Sequence, residues 1–226
     1  MIQRTFEPRE YQTAILETCK QKNTLVCLPT GTGKTKIAIL LAIERMNLYP
    51  SEKIVICSPT KPLSNQICEE FKSSTTMDPA LITLLTGALK QEGRKKLWEL
   101  SKVIVATPQT VENDVENNRI ALSDVSLVCI DECHRSRYKF ANTKVIQQYT
   151  SQATNQRILA LTASPGASKE KIGEICKNLS IEAVEIRTEH DEDIKPYMQE
   201  KNVTYVKIDL PDELAKIIRE IKEVYS

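Results

Sequence analysis

No apolar run in this chain of 226 residues approaches the roughly 20 residues that a membrane-spanning helix needs. The opening residues MIQR do not begin a secretory signal, and no internal repeat or low-complexity tract is present. Net charge is almost absent, at +1, so any contact with nucleic acid must come from local patches and not from a basic surface as a whole. We expect a soluble, cytoplasmic protein without a membrane partner.

Zinc-ligand spacing is missing as well, although the chain has seven cysteines. Cys129 and Cys133 are separated by three residues and His134 follows, but no second Cys/His pair completes a zinc pattern. Most of the cysteines fall inside apolar runs or helical patterns, where a free thiol behaves as a small apolar side chain. We therefore expect buried free thiols, and no nucleophilic role for Cys133.

Short apolar runs without polar alternation indicate parallel strands that are covered on both faces. Helical patterns separate these runs, which predicts an α/β fold: a mostly parallel, doubly wound sheet of about seven strands with helices on both faces. At 41% hydrophobic residues, the chain can bury one substantial core. The predicted strands are residues 24–28, 53–57, 81–85, 102–106, 126–130, 157–161 and 181–186, and the predicted helices are residues 10–20, 34–48, 63–72, 91–100, 109–118, 142–152 and 168–179.

The composition changes after residue 186. Residues 187–202 are dense in charge and contain Pro196, which is typical of a solvated connector. A strand-like run and a helical pattern follow, and the chain stops within that pattern, as if cut from something longer. We predict one domain over residues 1–186, a charged connector over 187–202, and the start of a following region over 203–226.

Polar residues follow five of the predicted strands directly. Because ligands of open parallel sheets bind beyond the carboxyl ends of the strands, these residues should meet at one edge of the sheet. Ser and Thr before a helix are also ordinary N-caps, but capping explains one or two of these sites and not all of them. The five segments are PTG at 29–31, SPT at 58–60, TPQ at 107–109, DE at 131–132 and TASP at 162–165.

Residues 28–35, LPTGTGKT, join a predicted strand to a predicted helix. A glycine-containing turn in this place directs backbone N–H groups to one spot at the positive end of the helix dipole, which favours a phosphate group. Lys34 can then reach the β- and γ-phosphates of ATP, and the Thr35 hydroxyl can bind Mg²⁺. The full P-loop pattern has glycine where this chain has Leu28, which argues against an ordinary GTPase.

Residues 131–134, DECH, directly follow another predicted strand. Asp131 is placed to hold the same Mg²⁺, usually through water, and Glu132 can accept a proton from the water that attacks the γ-phosphate. An Asp-Glu pair after a strand is common and alone would be a weak signal. It becomes a strong one because a P-loop lies about a hundred residues earlier. We predict ATP and Mg²⁺ as cofactors.

Three segments together resemble motifs I, II and III of superfamily 2 helicases: GTGKT at 31–35, DECH at 131–134 and TAS at 162–164. This resemblance implies a RecA-like domain, and the shorter P-loop of helicases accommodates a leucine at position 28. It also implies that the DECH histidine couples hydrolysis to strand movement by hydrogen bonding toward motif III. The residues involved would be His134 and either Thr162 or Ser164.

Arg9, Tyr11 and Gln12 resemble the adenine-reading element that precedes motif I in these helicases. The resemblance implies paired hydrogen bonds from Gln12 to the adenine edge, with Arg9 or Tyr11 packing nearby. Without the family parallel, all three would pass as the polar start of a surface helix.

A closer resemblance is to the archaeal Hef helicase–nuclease and its relatives, the Fanconi anaemia M-type DNA helicases. TKPL at 60–63, VIVATPQT at 103–110, ASPG at 163–166 and DIKPY at 193–197 carry it, and it covers nearly all of the chain but only the front half of the family's motor. It implies branched DNA as the substrate and a second RecA-like domain that supplies arginine fingers. A DECH sequence also occurs in innate immune RNA sensors, so RNA stays open.

The resemblance further assigns motifs Ia and Ib to the nucleic-acid backbone. Short hydroxyls and helix N-termini bind phosphates and sugars without reading bases, which suits a translocating motor. The expected nucleic-acid residues are Ser58, Pro59, Thr60, Lys61, Thr86, Gly87, Thr107 and Pro108.

The resemblance and the motifs together give the other expected site residues. The nucleotide would be bound by Arg9, Gln12, Thr30, Gly31, Thr32, Gly33, Lys34 and Thr35, and the metal by Thr35 and Asp131. The expected catalytic residues are Lys34, Asp131, Glu132 and His134, and the expected coupling residues are Thr162 and Ser164.

Interpretations from other classes also stay open. A P-loop switch or transport ATPase unrelated to nucleic acid would share the P-loop and the acidic pair, but would not require TKP at 60–62 or TAS at 162–164. The intact P-loop and acidic pair argue against a non-catalytic binding module. Because an arginine finger is worth about 10³–10⁵ in rate, we expect the chain alone to bind nucleotide modestly and hydrolyse it very slowly.

Overall fold

The computed structural model describes residues 1–135, 141–163 and 169–198, together with residues 214, 216–218, 221 and 222 of a further helix. The predictions for Ser164, for residue 168 at the start of a predicted helix, for the strand-like run 203–210 and for most of the helical pattern after it lie outside these residues.

Seven strands form one sheet, and every pairing between them is parallel. The strands are β1 (Thr24–Cys27), β2 (Lys53–Cys57), β3 (Ile82–Leu85), β4 (Val103–Ala106), β5 (Val125–Ile130), β6 (Ile158–Thr162) and β7 (Ala183–Ile186). Their order across the sheet is β3-β4-β2-β5-β6-β1-β7. The predicted parallel α/β sheet is therefore confirmed, and each predicted strand lies within two residues of its observed bounds.

Helices connect the strands, because a parallel strand pair needs a crossover connection. The helices are α1 (Glu10–Gln21), α2 (Lys34–Leu48), α3 (Lys61–Ser74), α4 (Gln91–Leu100), α5 (Pro108–Glu116), α6 (Ala141–Gln152) and α7 (Lys169–Asn178). None of the helices in the described part of the chain is both long and apolar enough to cross a bilayer.

The sheet separates two apolar layers. Successive side chains of a strand point to opposite faces, so Val26 of β1 packs into one layer while Leu25 and Cys27 pack into the other. Helices α1, α2 and α3 cover the first layer, and α4, α5, α6 and α7 cover the second. This burial on both faces explains why the strands read as unbroken apolar runs.

All seven cysteines are free thiols, and six of them are buried. Burial raises the pKa of the Cys57 thiol to about 12, so it stays protonated at neutral pH. The prediction of buried free thiols is confirmed.

Residues 187–198, the described part of the predicted connector, fold back onto the domain. The Arg187 guanidinium pairs with Asp193 at 2.9 Å, and a 3₁₀ turn forms at Lys195–Tyr197. Ile194 is fully buried in the layer that α1, α2 and α3 cover. The other residues of 187–198 are exposed or half-buried, so within this stretch Ile194 alone departs from the expected solvated connector.

Candidate functional site

Three neighbouring strands, β5, β6 and β1, bring the predicted catalytic segments to one edge of the sheet. The P-loop follows β1, the DECH segment follows β5, and Thr162 ends β6 between them. Because every strand is parallel, all carboxyl ends face the same way. The convergence expected from the sequence is present.

Lys34 is the first residue of α2, and its side chain folds over the P-loop. Its Nζ donates hydrogen bonds to the carbonyl oxygens of Leu28 at 3.1 Å and Pro29 at 3.3 Å. Burial lowers the pKa of Lys34, and the carboxylates of Glu132 and Asp131 oppose that shift. The Leu28 N–H donates to the Thr162 carbonyl at 3.1 Å, and the Thr162 hydroxyl contacts His134, so Lys34 and the acidic pair lie at the same edge of the sheet.

Asp131 is held by two contacts to β2 and the residue after it. Its backbone N–H donates to the Cys57 carbonyl at 2.8 Å, and one carboxylate oxygen accepts from the Ser58 hydroxyl at 3.2 Å. Burial raises the pKa of Asp131 and the neighbouring Glu132 carboxylate raises it further, while Ser58 and Lys34 oppose the rise. Two carboxylates in a partly buried place favour a cation between them, which suits a metal ligand.

Glu132 has a left-handed backbone, with a φ of 51°. Non-glycine residues adopt this conformation rarely, and it costs of order 1 kcal/mol or more. In this place the turn directs the two adjacent carboxylates of the DECH segment differently. Asp131 contacts Ser58, whereas Glu132 contacts His134.

His134 links the DECH segment to the end of β6. Its Nδ1 lies 3.2 Å from Glu132 Oε2 and 3.1 Å from Thr162 Oγ1. The contact expected between His134 and Thr162 is therefore present. The other expected partner, Ser164, lies outside the described residues.

The P-loop fits a triphosphate in its backbone conformation. Gly31 and Gly33 have φ values of +83° and +81°, and a Cβ at Gly33 would lie 2.8 Å from the Gln12 amide nitrogen. Helix α2 starts with no side-chain cap and no acidic residue in its first turn, so the N–H groups at its N-terminus are open to an anion. Within the described residues the Thr35 hydroxyl has no hydrogen-bond partner. This donor set fits ATP with Mg²⁺.

The side chains of Arg9, Tyr11 and Gln12 converge on one P-loop atom, the carbonyl oxygen of Thr32. Tyr11 donates its hydroxyl to that carbonyl, the Gln12 amide approaches it at 3.3 Å, and the Arg9 guanidinium reaches it at 3.5 Å. Gln12 is 2% exposed and also donates to the Gly33 carbonyl at 3.3 Å. Both ends of the Gln12 side chain are thus engaged, because its Oε1 also accepts from the Arg9 N–H at 2.9 Å. The pairing of Gln12 with adenine stays a prediction.

The side chain of Thr32 turns away from the edge. Its hydroxyl donates to the Pro29 carbonyl at 2.7 Å and the residue is fully buried, which leaves only its backbone N–H for a phosphate. Thr30 and Gly31, by contrast, are exposed.

The predicted nucleic-acid residues follow β2, β3 and β4, the adjoining half of the same edge. Thr60, Lys61 and Gly87 are exposed, and Pro59, Thr86 and Thr107 are half-buried. The Thr60 hydroxyl caps α3 by accepting from the Leu63 N–H at 3.5 Å, so the capping explanation applies to this residue. The exposed members can meet a strand that lies along the surface.

Two members of that set differ from the others because they are buried: Ser58 and Pro108. Ser58 orients Asp131 by donating to its carboxylate, since a residue just past the end of β2 also lies beside β5. The assignment of both residues to nucleic acid stays a prediction.

A buried ion pair supports the nucleic-acid half from beneath. Arg94 of α4 binds both oxygens of Asp114 of α5, at 2.6 and 2.7 Å, and their side chains are 8% and 1% exposed. Arg94 also donates to the Leu89 carbonyl, and Arg119 adds a second cation at 3.0 Å from Asp114. Burial alone would raise the pKa of Asp114, but the hydrogen bonds from Arg94 and Arg119 outweigh it and lower that pKa.

Sequence reasoning missed this pair, as it missed the role of Ser58. Arg94 and Asp114 are two charges inside helical patterns, which the sequence alone presents as solvent-facing. A usable signal is the pattern position: each sits on the apolar face of its helix, one turn from Trp98 and Val111 respectively.

Residues 9–172 match the profile of the DEAD/DEAH box helicase family. This span begins at Arg9 and contains the P-loop, the DECH segment and Thr162. The chain belongs to the DEAD/DEAH box helicase family. The resemblance to superfamily 2 helicases that the motifs indicate is confirmed.

Among solved structures, this helicase domain is similar to the Hef helicase domain of Pyrococcus furiosus, with 44% identity and a TM-score of 0.83. The match covers 95% of this chain and 45% of that one. The RecA-like fold and the Hef-type resemblance are thereby confirmed.

Two curated relatives show the same kinship. A Methanocaldococcus jannaschii protein, named as a candidate ATP-dependent RNA helicase, is 38% identical over 97% of this chain and 28% of its own length. The Fanconi anemia group M protein homolog of Mus musculus is 34% identical over 92% of this chain and 10% of its own length. The chain thus spans less than a third of either relative.

Proposed function

We propose that this chain is the ATP-binding motor domain of an ATP-dependent helicase or translocase that acts on branched DNA. The observation that carries the proposal is that the P-loop and the DECH segment meet at the end of β6. The Leu28 N–H of the P-loop donates to the Thr162 carbonyl at 3.1 Å, and the Thr162 hydroxyl lies 3.1 Å from His134. Exposed Thr60, Lys61 and Gly87 lie along the adjoining half of the same edge. One edge can thus hold a triphosphate and a nucleic-acid backbone side by side.

The described residues divide the chemistry among them. The N–H groups around Gly31 and Gly33, with the Lys34 ammonium, would bind the triphosphate, and Thr35 and Asp131 would hold Mg²⁺. When bound, the metal neutralises phosphate charge. Glu132 would take the proton of the attacking water. Asp131 beside it would have a different role, because its carboxylate would hold the cation.

His134 would couple the state of the phosphate site to the end of β6. Its ring joins Glu132 to Thr162, so a proton or a shift at Glu132 changes the hydrogen bonding at the end of β6. Because Thr162 ends β6 at the same edge, this contact would be a short route from hydrolysis to nucleic-acid movement.

DNA is the first candidate substrate because the Hef and Fanconi M-type helicases process forked DNA. RNA is the second candidate, since the M. jannaschii relative is named as an RNA helicase. The contacts proposed for the backbone do not read bases, so either polymer can be tested with the same residues.

Rapid hydrolysis would need a second RecA-like domain, because the family resemblance implies that this domain supplies the arginine fingers. Arg9 of this chain contacts the Thr32 carbonyl and the Tyr11 hydroxyl. The chain alone should bind ATP and turn it over very slowly. Vigorous DNA-stimulated hydrolysis by the purified 226-residue chain would contradict this part of the proposal.

The central experiment measures binding of ATP with Mg²⁺ by calorimetry, and of fluorescent forked DNA, single-stranded DNA and RNA by anisotropy. We expect ATP binding, and DNA binding that weakens as salt rises because phosphate contacts release counterions. Glu132→Gln should keep ATP binding and abolish hydrolysis in the assembled motor. A chain that binds ATP but no polynucleotide would favour a switch ATPase instead.

A further inference from the structure

The segment at residues 193–197, DIKPY, has no role in the site as described so far, yet it is anchored against it. Asp193 pairs with Arg187 at 2.9 Å, and fully buried Ile194 fixes the backbone in the core layer beside α1. The 3₁₀ turn Lys195–Tyr197 follows at once. The ion pair, the buried side chain and the turn therefore fix the position of Tyr197.

The ring of Tyr197 lies against the element that precedes the P-loop. Its centroid is 4.4 Å from the Arg9 guanidinium carbon and 5.6 Å from the centroid of the Tyr11 ring, with the two rings tilted by 60°. Arg9 also donates to the Tyr11 hydroxyl at 3.0 Å and reaches the Thr32 carbonyl. The Arg9 guanidinium is thus held by an aromatic face and by the P-loop backbone together.

Arg9 has no carboxylate partner within 4.0 Å among the described residues, so these contacts set its orientation. A guanidinium is planar, and aromatic rings stack on its face. Arg9 is only half-buried beside Tyr197, so part of its guanidinium stays accessible to a second planar ring. A nucleotide base bound beside the P-loop is a ring of that kind.

We infer that Tyr197 is a positioning residue for recognition of the nucleotide base, acting by holding the Arg9 guanidinium against it. The inference rests on the proposed function, because it requires ATP to bind at the P-loop. It also makes the segment from Arg187 to Tyr197 part of the nucleotide site, since base binding and the packing of this segment share one side chain.

The test separates the base from the phosphates. Calorimetry of the 226-residue chain with Mg²⁺ compares two probes, ATP and inorganic tripolyphosphate. Tyr197→Ala should weaken ATP binding two- to fivefold, the range expected for a cation–π contact near the surface, and leave tripolyphosphate binding unchanged. Tyr197→Phe keeps the ring and should bind both probes as the wild type does.

Tyr49 offers a matched control. Its ring lies 4.5 Å from the Arg45 guanidinium carbon near the end of α2, whereas the P-loop adjoins the start of that helix. Tyr49→Ala should leave both probes unaffected, which separates a role at the base site from the general loss of a cation–π pair.

Three outcomes would overturn the inference while the proposed function stands: equal weakening of both probes in Tyr197→Ala, no change in either, or tighter ATP binding, which would mean that the ring obstructs the base. A wild type that binds tripolyphosphate as well as ATP would also overturn it, because no base recognition would then exist. A wild type that binds neither probe would overturn the proposed function itself.

Discussion

The two halves of the sheet's carboxyl edge are built on different plans. In the half after β1, β5 and β6, the side chains are engaged within the site. The Lys34 ammonium donates to a backbone carbonyl of the P-loop, and the His134 ring joins Glu132 to Thr162. In the half after β2, β4 and β3, Thr60, Lys61 and Gly87 face solvent. Their support, the pair of Arg94 and Asp114, lies beneath the surface.

The proposed function accounts for this difference. Phosphate chemistry requires groups that are oriented before the reaction, so contacts within the site have value. A strand that slides requires interchangeable contacts, so the surface can stay open as long as its loops keep their places. The first half should be sensitive to substitutions at the site, and the second to a substitution underneath it.

The largest effect should come from Asp114→Ala. It leaves the Arg94 guanidinium buried without its partner, and breaking such a pair typically costs about 3–5 kcal/mol in free energy of unfolding. Urea unfolding measures this, with Glu69→Ala of the exposed Lys72 pair as the control, which should change stability by at most about 0.5 kcal/mol. Similar losses for the two variants would contradict the comparison.

Lys34→Ala should come next. Removing the ammonium should weaken binding of ATP about 100-fold, or ~2.7 kcal/mol, because charge-assisted bonds to phosphate are lost. Folding should not suffer, since burial already disfavours the charged form of Lys34. Lys36→Ala is the matched control: this lysine pairs with Glu70 at 3.5 Å, and its loss should leave ATP affinity within about twofold.

Ser58→Ala tests the boundary between the halves. Because Ser58 orients Asp131, its loss should raise the Mg²⁺ concentration needed for ATP binding about tenfold, the low end for a residue that supports a metal ligand. Polynucleotide affinity should stay unchanged. If polynucleotide affinity falls and the Mg²⁺ requirement does not, Ser58 belongs to the nucleic-acid surface after all.

Lys61→Ala should give the smallest effect. Loss of one phosphate contact should weaken binding of all polynucleotides about equally, by several-fold, and lower the slope of affinity against salt by about 1. Anisotropy titrations over a range of salt concentrations check this. A sequence-dependent loss would mean that the open half reads bases.

Much of this architecture follows from local pattern. Strands covered on both faces are uninterrupted apolar runs, so their positions could be predicted to within two residues, and parallel direction then places every carboxyl end at one edge. The P-loop and DECH segment could be found because their chemistry is encoded in consecutive residues.

What depends on strand order could not be predicted. Nothing in the apolar runs tells which strand neighbours which, so the contact of Ser58 with Asp131, across the β2 and β5 boundary, had no local signal. The burial of Gln12 and Ile194 could not be predicted for a related reason: each has a polar or charged context in sequence, yet tertiary packing buries both.

Because the backbone at Glu132 is left-handed, the residue types that favour folding at this position differ from the one that the proposed hydrolysis needs. A library randomised there and sorted only for folded protein should enrich glycine and asparagine, which adopt a φ near 51° readily, and deplete valine and isoleucine. Sorting for ATP turnover should instead return glutamate alone. The variants selected for folding and those selected for turnover would then differ most at this position, because the chain keeps a carboxylate on a residue with a left-handed backbone.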